Sequence, residues 1–144
     1  MALPSVGGGY QYTDGNLNEP VMETQAAPQT ATATATLTVA QLTGGLLVCD
    51  PSTSAASYTM PTAAAIDAVM TNMKTNSCFL LNVVNLGTSS GVLTFVVGTG
   101  ITSVGNLLVA ITGSAAGVGG AAQFLFRKTN LVGSAAAYSV YRLA

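Results

Sequence analysis

The residue types that carry most enzyme chemistry are scarce in this chain. It has no histidine, which excludes histidine-based catalytic triads and imidazole metal ligands. Its five acids are scattered along the sequence, with no spacing that suggests a paired general acid and base. They are Asp14, Glu19, Glu23, Asp50 and Asp67. We therefore expect no catalytic, cofactor-binding or metal-binding residues, and we predict that the protein is not an enzyme.

Two cysteines and two glycine-rich stretches are the other candidates for chemistry. Cys49 and Cys78 fall on predicted strands, and either a disulfide or two free thiols fits them. Buried free thiols are favoured for a chain made in a reducing cytosol. Gly117 to Gly120 and the GTG of residues 98–100 lack the strand, helix and downstream acid of a nucleotide-binding fingerprint. They are predicted to be loops or close packing contacts.

The composition is unusual for a globular domain. Of the 144 residues, 49% are hydrophobic and 6% are charged, whereas about a quarter of an ordinary domain is charged. No apolar run reaches the roughly 18 residues of a membrane helix, and the start lacks the pattern of a signal peptide. We expect a chain made in the cytoplasm, with no membrane partner. So few surface charges predict that partners, including copies of the chain itself, cover much of the surface.

The few charges are unevenly ordered, since all five acids precede all four bases. The bases are Lys74, Arg127, Lys128 and Arg142. An acidic arm and a basic sheet edge that meet between subunits would explain this order, and so would chance. Four bases cannot form a stripe that follows nucleic-acid phosphates, so nucleic acid is not expected as a partner.

The clearest helix signal in the sequence begins at Pro61 and Thr62. Proline is tolerated in the first turn, and a threonine hydroxyl caps free backbone donors. No glycine or proline follows before Lys74, whose charge suits the end of a helix. One narrow apolar face is formed by Ala63, Ile66, Met70 and Met73. We predict one short helix near residues 62–74.

Two strands are predicted directly after this helix. Residues Ser77 to Asn85 are apolar on both faces, which predicts a strand with little exposure on either side. Leu86 to Gly91 is rich in Gly, Ser and Thr, and Val92 to Val97 is β-branched and aromatic. The two strands are therefore predicted to form a hairpin.

The N-terminal part of the chain, residues 1–29, has no sustained hydrophobic period and is predicted to be an extended arm. Two interpretations stay open, a disordered terminus and an arm that becomes ordered on a neighbouring molecule. For the second, the candidate apolar contacts are Tyr10, Tyr12, Val21 and Met22.

Residues 30–144 are predicted to form one β-sandwich domain. Thr30 to Val39 alternates threonine with small or apolar residues, which predicts a half-buried strand. Pro51 to Tyr58 is predicted to be a loop. The other predicted strands are Leu46 to Asp50, Gly98 to Ser103, Leu107 to Thr112, Ala121 to Lys128 and Ala135 to Arg142. About eight strands and one helix favour a mainly β fold, a jelly-roll-like β-sandwich, with a closed barrel as the alternative.

Arg127 and Lys128 end the predicted strand Ala121 to Lys128. They are interpreted either as a solvated sheet edge or as contacts with an acidic partner.

Several motifs together resemble a known family. They are MPTAAAIDAVM, a strand ending in NVVN, a Gly-Ser-Thr turn, a strand into GTGIT, and a closing FLFRKTN and AYSVYRL. Over roughly Thr59 to Leu143, the chain is similar to small β-sandwich proteins of tailed bacteriophages, among them capsid decoration, or cement, proteins. The resemblance implies a virion component that lies on the outer surface of the major capsid protein shell and bridges capsomers. It supplies no catalytic residues, and the arm lies outside it.

The expected partners are thus the major capsid protein and further copies of the chain, as a trimer in preference to a dimer. Repeated weak contacts suit such a shell, because symmetry multiplies them. The alternative is a receptor-binding or adhesive module of a phage fibre or spike, whose loops would bind host glycan. The loops concerned are Pro51 to Tyr58, Leu86 to Gly91 and Gly113 to Gly120, and Tyr58 is the aromatic residue that they offer.

Overall fold

The structure is a computed structural model that describes residues 25–111, 120–130 and 135–144. Within these ranges the chain is mainly β, with ten strands in two sheets and two short helices. The proposed arm contacts Tyr10, Tyr12, Val21 and Met22 lie outside the described residues. At the end of the predicted arm, the Gln25 side chain donates a hydrogen bond to the Gly44 carbonyl oxygen.

The larger sheet has six strands. In spatial order they are β1 (Gln29–Ala31), β3 (Leu46–Cys49), β5 (Cys78–Asn85), β9 (Ala121–Lys128), β10 (Tyr138–Arg142) and β7 (Ile101–Val104). The long strands β5 and β9 pair antiparallel at its centre.

The smaller sheet has four strands. They are β2 (Ala35–Thr36), β4 (Ala56–Thr59), β6 (Leu93–Val96) and β8 (Leu108–Val109). From β1 to β9 the chain alternates between the two sheets, so most sequence neighbours are not paired with each other. Of the eight strand pairs in the described ranges, five are parallel.

The two sheets pack face to face around one apolar core. Phe95 of the small sheet lies 5.4 Å from Phe124 of the large sheet, measured between ring centroids. Within the large sheet, Phe79 stacks on Phe126 at 4.9 Å. Phe124 and Phe126, which alternate along β9, are fully buried, and so is Val140 on β10. The result is a β-sandwich-like arrangement.

Two short helices lie beside the core. Helix α1 (Val39–Thr43) begins at Thr38, whose hydroxyl accepts a hydrogen bond from the Gln41 amide, while the Gln41 side chain accepts one from the Thr38 amide. Helix α2 (Ala63–Val69) begins at Thr62, whose hydroxyl accepts from the Ala65 amide. The predicted cap Thr62 is thereby confirmed, and Pro61 lies just before it.

The predicted helix near 62–74 is too long, because α2 ends at Val69. At Met70 the backbone leaves the helical conformation, and the Lys74 amide donates to the Ser77 hydroxyl instead of a helical carbonyl. Lys74 therefore lies outside the helix. Ala63 and Ile66 are buried as predicted, and Met70 and Met73 pack against the core from the following turn.

The predicted strand Thr30 to Val39 is wrong as one element. It is divided into β1 in the large sheet, β2 in the small sheet and the start of α1. Where the segment leaves the sheets, threonine hydroxyls take the place of backbone carbonyls as hydrogen-bond acceptors. The Thr34 hydroxyl accepts a hydrogen bond from the Ser57 amide, and the Thr38 hydroxyl caps α1. Ala33 and Ala35 are exposed, so the segment is not the half-buried strand that its alternation predicts.

The predicted hairpin is also wrong, and the predicted loop Pro51 to Tyr58 ends earlier than predicted, because β4 begins at Ala56. The strand before the turn, β5, pairs with β3 and β9, whereas β6 pairs with β4 and β8 in the other sheet. Residues Ala56 to Thr59 form β4, and Tyr58 is fully buried. Strand β9 has the predicted bounds, and the other late strands are shorter than predicted within the described ranges.

Candidate functional site

The two predicted cationic contacts, Arg127 and Lys128, lie on opposite faces of the large sheet. Both belong to β9, which lies between β5 and β10, so the prediction of a basic sheet edge is wrong. Arg127 is on the outer face, where its guanidinium donates to the Asn76 side-chain oxygen at 2.8 Å and to the Tyr141 hydroxyl at 3.2 Å. These bonds hold the guanidinium near the Tyr141 ring, with its carbon 5.9 Å from the ring centroid.

Lys128 points inward and joins a polar cluster beneath α2. Its ammonium lies 2.7 Å from a carboxylate oxygen of Asp67, and the other oxygen accepts a 2.5 Å hydrogen bond from the Tyr138 hydroxyl. The Tyr138 hydroxyl also lies 3.6 Å from the Met73 sulfur. The cluster ties α2 to the ends of β9 and β10, so Lys128 has a partner within its own chain.

The electrostatics of this cluster favour a charged Asp67. Partial burial acts to raise the pKa of the Asp67 carboxyl, but hydrogen bonds from Lys128 and Tyr138 and the Lys128 charge outweigh it, and the pKa is lowered. Burial, followed by the hydrogen bond to Asp67, raises the pKa of Tyr138. Tyr138 therefore stays protonated as a donor. The arrangement is that of a structural ion pair.

The outer face of the six-stranded sheet has a different character, because an apolar row crosses four of its strands. Strand register aligns Leu80 of β5, Leu125 of β9, Tyr141 of β10 and Val104 of β7. Leu80 is 43% exposed and Val104 46%, and Leu125 and Tyr141 are half-buried. We call these four residues the apolar row. The predicted low exposure of both faces of β5 is wrong on this outer side.

The rows on either side of the apolar row are mostly polar; Arg127 is charged in one of them, and Leu46 lies beside Asn82 in the other. On one side the register places Cys78 beside Arg127, and on the other it places Asn82 beside Gln123. The Gln123 amide donates to Asn82, and the Asn82 amide donates to the Gly45 carbonyl oxygen.

Both cysteines are free, as predicted, but their surroundings differ. Cys49 is buried, and burial raises the pKa of its thiol to about 12 in spite of a hydrogen bond with Tyr58. Cys78 is exposed on the outer face next to the apolar row, so the prediction of two buried thiols is wrong for Cys78.

Asn85, the last residue of the NVVN stretch, is fully buried and organises the turn after β5. Its side-chain nitrogen lies within hydrogen-bond distance of the carbonyl oxygens of Gly91, Val109 and Ala110, and its oxygen accepts from the Gly87 amide. These contacts tie the turn to β8 in the other sheet. They explain why the chain crosses over instead of forming a hairpin.

A depression of about 370 Å³ lies after α2 and contains no acid or base. It is lined by Val69, Met70, Thr71, Asn72, Met73 and Ser77. In residues 25–111, 120–130 and 135–144, no three His, Cys, Asp or Glu side chains come together as a metal site. No helix in the same part of the chain is long and apolar enough to span a membrane.

Comparisons with protein-family models, with curated proteins and with solved structures gave no match.

Sequence reasoning missed the apolar row and the Asp67 partner of Lys128. Alternation along Ala121 to Lys128 placed Leu125 and Arg127 on one face, but it did not show which strands lie beside them. The row is formed by pairing between β5, β9, β10 and β7, strands that are far apart in the chain. No local signal in the sequence identifies those neighbours.

Proposed function

We propose that the protein is a structural virion component, a capsid decoration protein that binds the outside of the major capsid protein shell and stabilises it by bridging capsomers. The observation that carries this proposal is the exposure of apolar side chains on both outer faces of the sandwich. Leu80 and Val104 are exposed on the large sheet, and Val96 and Leu108 on the small sheet. A surface with two such faces and few charges suits a protein held between partners.

The internal use of the charged groups supports the same proposal. Lys128 and Asp67 neutralise each other under α2, and Arg142 donates to the carbonyl oxygens of Leu108 and Ala144. These charges stabilise the fold, and they leave the faces themselves nearly uncharged. Partners would then be recognised mainly by shape and apolar contact, and symmetry would multiply each weak contact over the shell.

The jelly-roll topology predicted from the strand count is not part of this proposal. Jelly rolls are antiparallel architectures. Here β1, β3 and β5 run parallel in one sheet, and β2, β4 and β6 run parallel in the other. The motifs of the resemblance would therefore belong to a related but differently connected sandwich.

The structure does not favour the glycan-binding alternative, because the aromatic side chain on which it depended is not exposed. A sugar site usually offers an aromatic face, and Tyr58 was the aromatic residue of the three loops. Tyr58 is fully buried in β4, and its hydroxyl donates to the Ala31 carbonyl oxygen. It cannot stack on a sugar in this fold.

Co-sedimentation with shells tests the proposal. Purified protein is added in increasing amounts to shells of the same virion that lack it, and bound copies are counted. We expect saturable binding at a stoichiometry set by the capsomers. Val96→Asp should weaken binding, because it places a charge on an apolar outer face, whereas Thr53→Asp, in an exposed loop, should not. Binding that fails to saturate, or no binding, would exclude the decoration role.

A further inference from the structure

Arg127 places a positive charge next to the apolar row on the outer face of the six-stranded sheet. Its guanidinium uses two of its five N–H donors, on the Asn76 side-chain oxygen and the Tyr141 hydroxyl, and both acceptors are neutral. Within the described residues Arg127 forms no ion pair, since the ion pair found there joins Lys128 to Asp67. A guanidinium beside exposed apolar side chains suits an occupant that is both acidic and apolar.

The sequence offers such an occupant in its N-terminal segment. Of the five acids, Asp67 is paired with Lys128, and Asp50 follows β3 at the end of the sheet away from Arg127. The other three lie in residues 1–24, which precede the described part of the chain; they are Asp14, Glu19 and Glu23. The charge that complements Arg127 can therefore come from this segment.

We propose that, in the free protein, residues 19–23 lie across the outer face of their own copy, with the Glu19 carboxylate at Arg127 and Val21 on the apolar row. The inference concerns the protein before it meets a partner. It goes beyond shell binding and does not depend on it.

Gln25, the first described residue, lies beside this face. Its side chain donates to the Gly44 carbonyl oxygen, and a Cβ at Gly45 would lie 2.9 Å from its amide nitrogen. The Gly45 carbonyl oxygen accepts from the side chain of Asn82, which is on the outer face. The segment before Gln25 therefore starts near the row of Asn82, one row from the apolar row and two rows from Arg127.

The spacing of the segment matches the spacing of the face. From the start of β3, Arg127 is two rows along the strands and two strands across, a distance of about 17 Å. Six extended residues span about 20 Å, so Glu19 reaches Arg127 from Gln25. Glu19 and Val21 are two residues apart, and so are Arg127 and the apolar row on β9. Both contacts can therefore form together.

The covalent connection lowers the affinity that these contacts need. A segment joined to its site by a few residues has an effective concentration in the millimolar range. A dissociation constant of about 1 mM for the separate segment is therefore enough to keep the face covered for much of the time. One ion pair and a few buried apolar side chains supply contacts of that strength.

Carbodiimide cross-linking of the full chain with Arg127→Lys tests the ion pair directly. The reagent joins a carboxyl carbon to an amine nitrogen as an amide, and the carboxyl oxygen leaves in the urea formed from the reagent. We expect monomers in which residue 127 is joined to Glu19, and we expect Glu19→Gln in the same background to abolish this link. Peptide mapping identifies the joined residues.

Three results of the cross-linking would overturn the proposal. They are the absence of a link between residues 19 and 127, a link that joins two copies, and links from residue 127 to Asp14, Glu19 and Glu23 in equal yield.

Alkylation of Cys78 by iodoacetamide tests the apolar contact. Cys78 lies beside Arg127 in the strand register, and Cys49 is buried. We expect Val21→Asp to raise the rate at Cys78 at least about 10-fold, because a carboxylate on the apolar row releases the segment. The added negative charge would by itself slow the reaction of a thiol, so a faster reaction reports uncovering of the face.

Val6→Asp is the matched control, since it makes the same change in the N-terminal segment outside residues 19–23. It should leave the rate at Cys78 unchanged. A rate that Val21→Asp does not raise, or that both variants raise equally, would overturn the proposed contact.

The two proposals fail separately. If the cross-link forms but the protein does not bind shells, only the decoration role is lost. If the protein binds shells but the cross-link does not form, only the covering of the face by residues 19–23 is lost.

Discussion

Asn85 is a buried polar side chain whose contacts come from two separate segments of the chain. Its amide nitrogen lies near three carbonyl oxygens, so this position requires a hydrogen-bond donor. The turn has no room for a side chain at Gly91, since a Cβ there would lie 2.5 Å from the Ser52 carbonyl oxygen. Asn85 thus provides the polar contacts that hold the turn against β8.

Replacing Asn85 by aspartate tests this role. Asn85→Asp exchanges the donor for a carboxylate that faces carbonyl oxygens, so we expect a loss of about 2–4 kcal/mol of unfolding free energy at neutral pH. Urea denaturation measures it. Asn106→Asp is the control, because exposed Asn106 only accepts a bond from the Leu108 amide, and its change should stay within about 0.5 kcal/mol. Equal losses in both variants would contradict the assignment.

Asp67 gives the stability a defined pH dependence. Its pKa is lowered from 3.8 in the folded protein, so the folded state binds fewer protons than the unfolded state near that pH. The stabilisation is fully present above the unfolded pKa, and it is lost as the pH falls through the folded pKa.

We expect Asp67→Asn to cost about 1–2 kcal/mol at neutral pH, because Lys128 loses its ion pair while Tyr138 can still donate. The difference from the unmodified protein should shrink below about pH 4. Urea unfolding over a range of pH measures both the cost at neutral pH and its decrease in acid. Asp50→Asn is the matched control, since it keeps the acceptor for the Ser52 amide. A difference that stays constant down to acid pH would contradict the ion-pair explanation.

The Cys49 thiol should not react with alkylating reagents in the folded protein. With its pKa raised to about 12 and its side chain buried, it has almost no thiolate near neutral pH. In a Cys78→Ser variant, we expect no thiol to react with maleimide until denaturant unfolds the protein, after which one reacts. Rapid labelling without denaturant would show that the core opens around β3.

At the scale of elements, α2 depends on its N-cap more than on its length. Seven residues are too few for a stable isolated helix, so packing of Ile66 and capping by Thr62 must stabilise it. We expect Thr62→Ala to lower the unfolding free energy by about 1 kcal/mol and Thr62→Ser to retain most of it. Thr71→Ala, exposed beyond the helix, is the control, and an equal effect there would argue against capping.

Elements with a strong local signal were predictable from the sequence. The alternation of Ala121 to Lys128 gave β9 its observed bounds, and Thr62 marked the start of α2. The partners of each strand were not predictable, because strand pairing is long-range. The hydrophobic period of the strands and the composition of Leu86 to Gly91 predicted a hairpin. The buried contacts of Asn85 instead hold the two strands in different sheets.

The threonine-rich segment shows a second limit of prediction from the sequence. Thr30 to Val39 has the alternation of one strand, yet its hydroxyls can bond the backbone locally. Thr34 and Thr38 do so, and the segment divides between two sheets and a helix. Of the six candidate contact residues, Arg127 and Lys128 lie in the described ranges, on opposite faces of β9. The apolar row became visible only with the strand order.

At the scale of the whole molecule, both outer faces of the sandwich carry few charged side chains. The described charged groups under α2 and beside β8 bond within the chain, and the faces expose apolar side chains. Under the proposed decoration role, such faces make contacts that are repeated over a larger assembly. The proposal therefore predicts an effect on the stability of that assembly.

The temperature at which packaged DNA is released from the shell is the most direct test. DNA-filled shells that lack the protein are heated alone and after saturation with it, with the Leu80→Asp and Val96→Asp variants in parallel. The decoration role predicts a higher release temperature with the unmodified protein and a smaller rise with each variant. An unchanged release temperature at saturating occupancy would contradict a stabilising role.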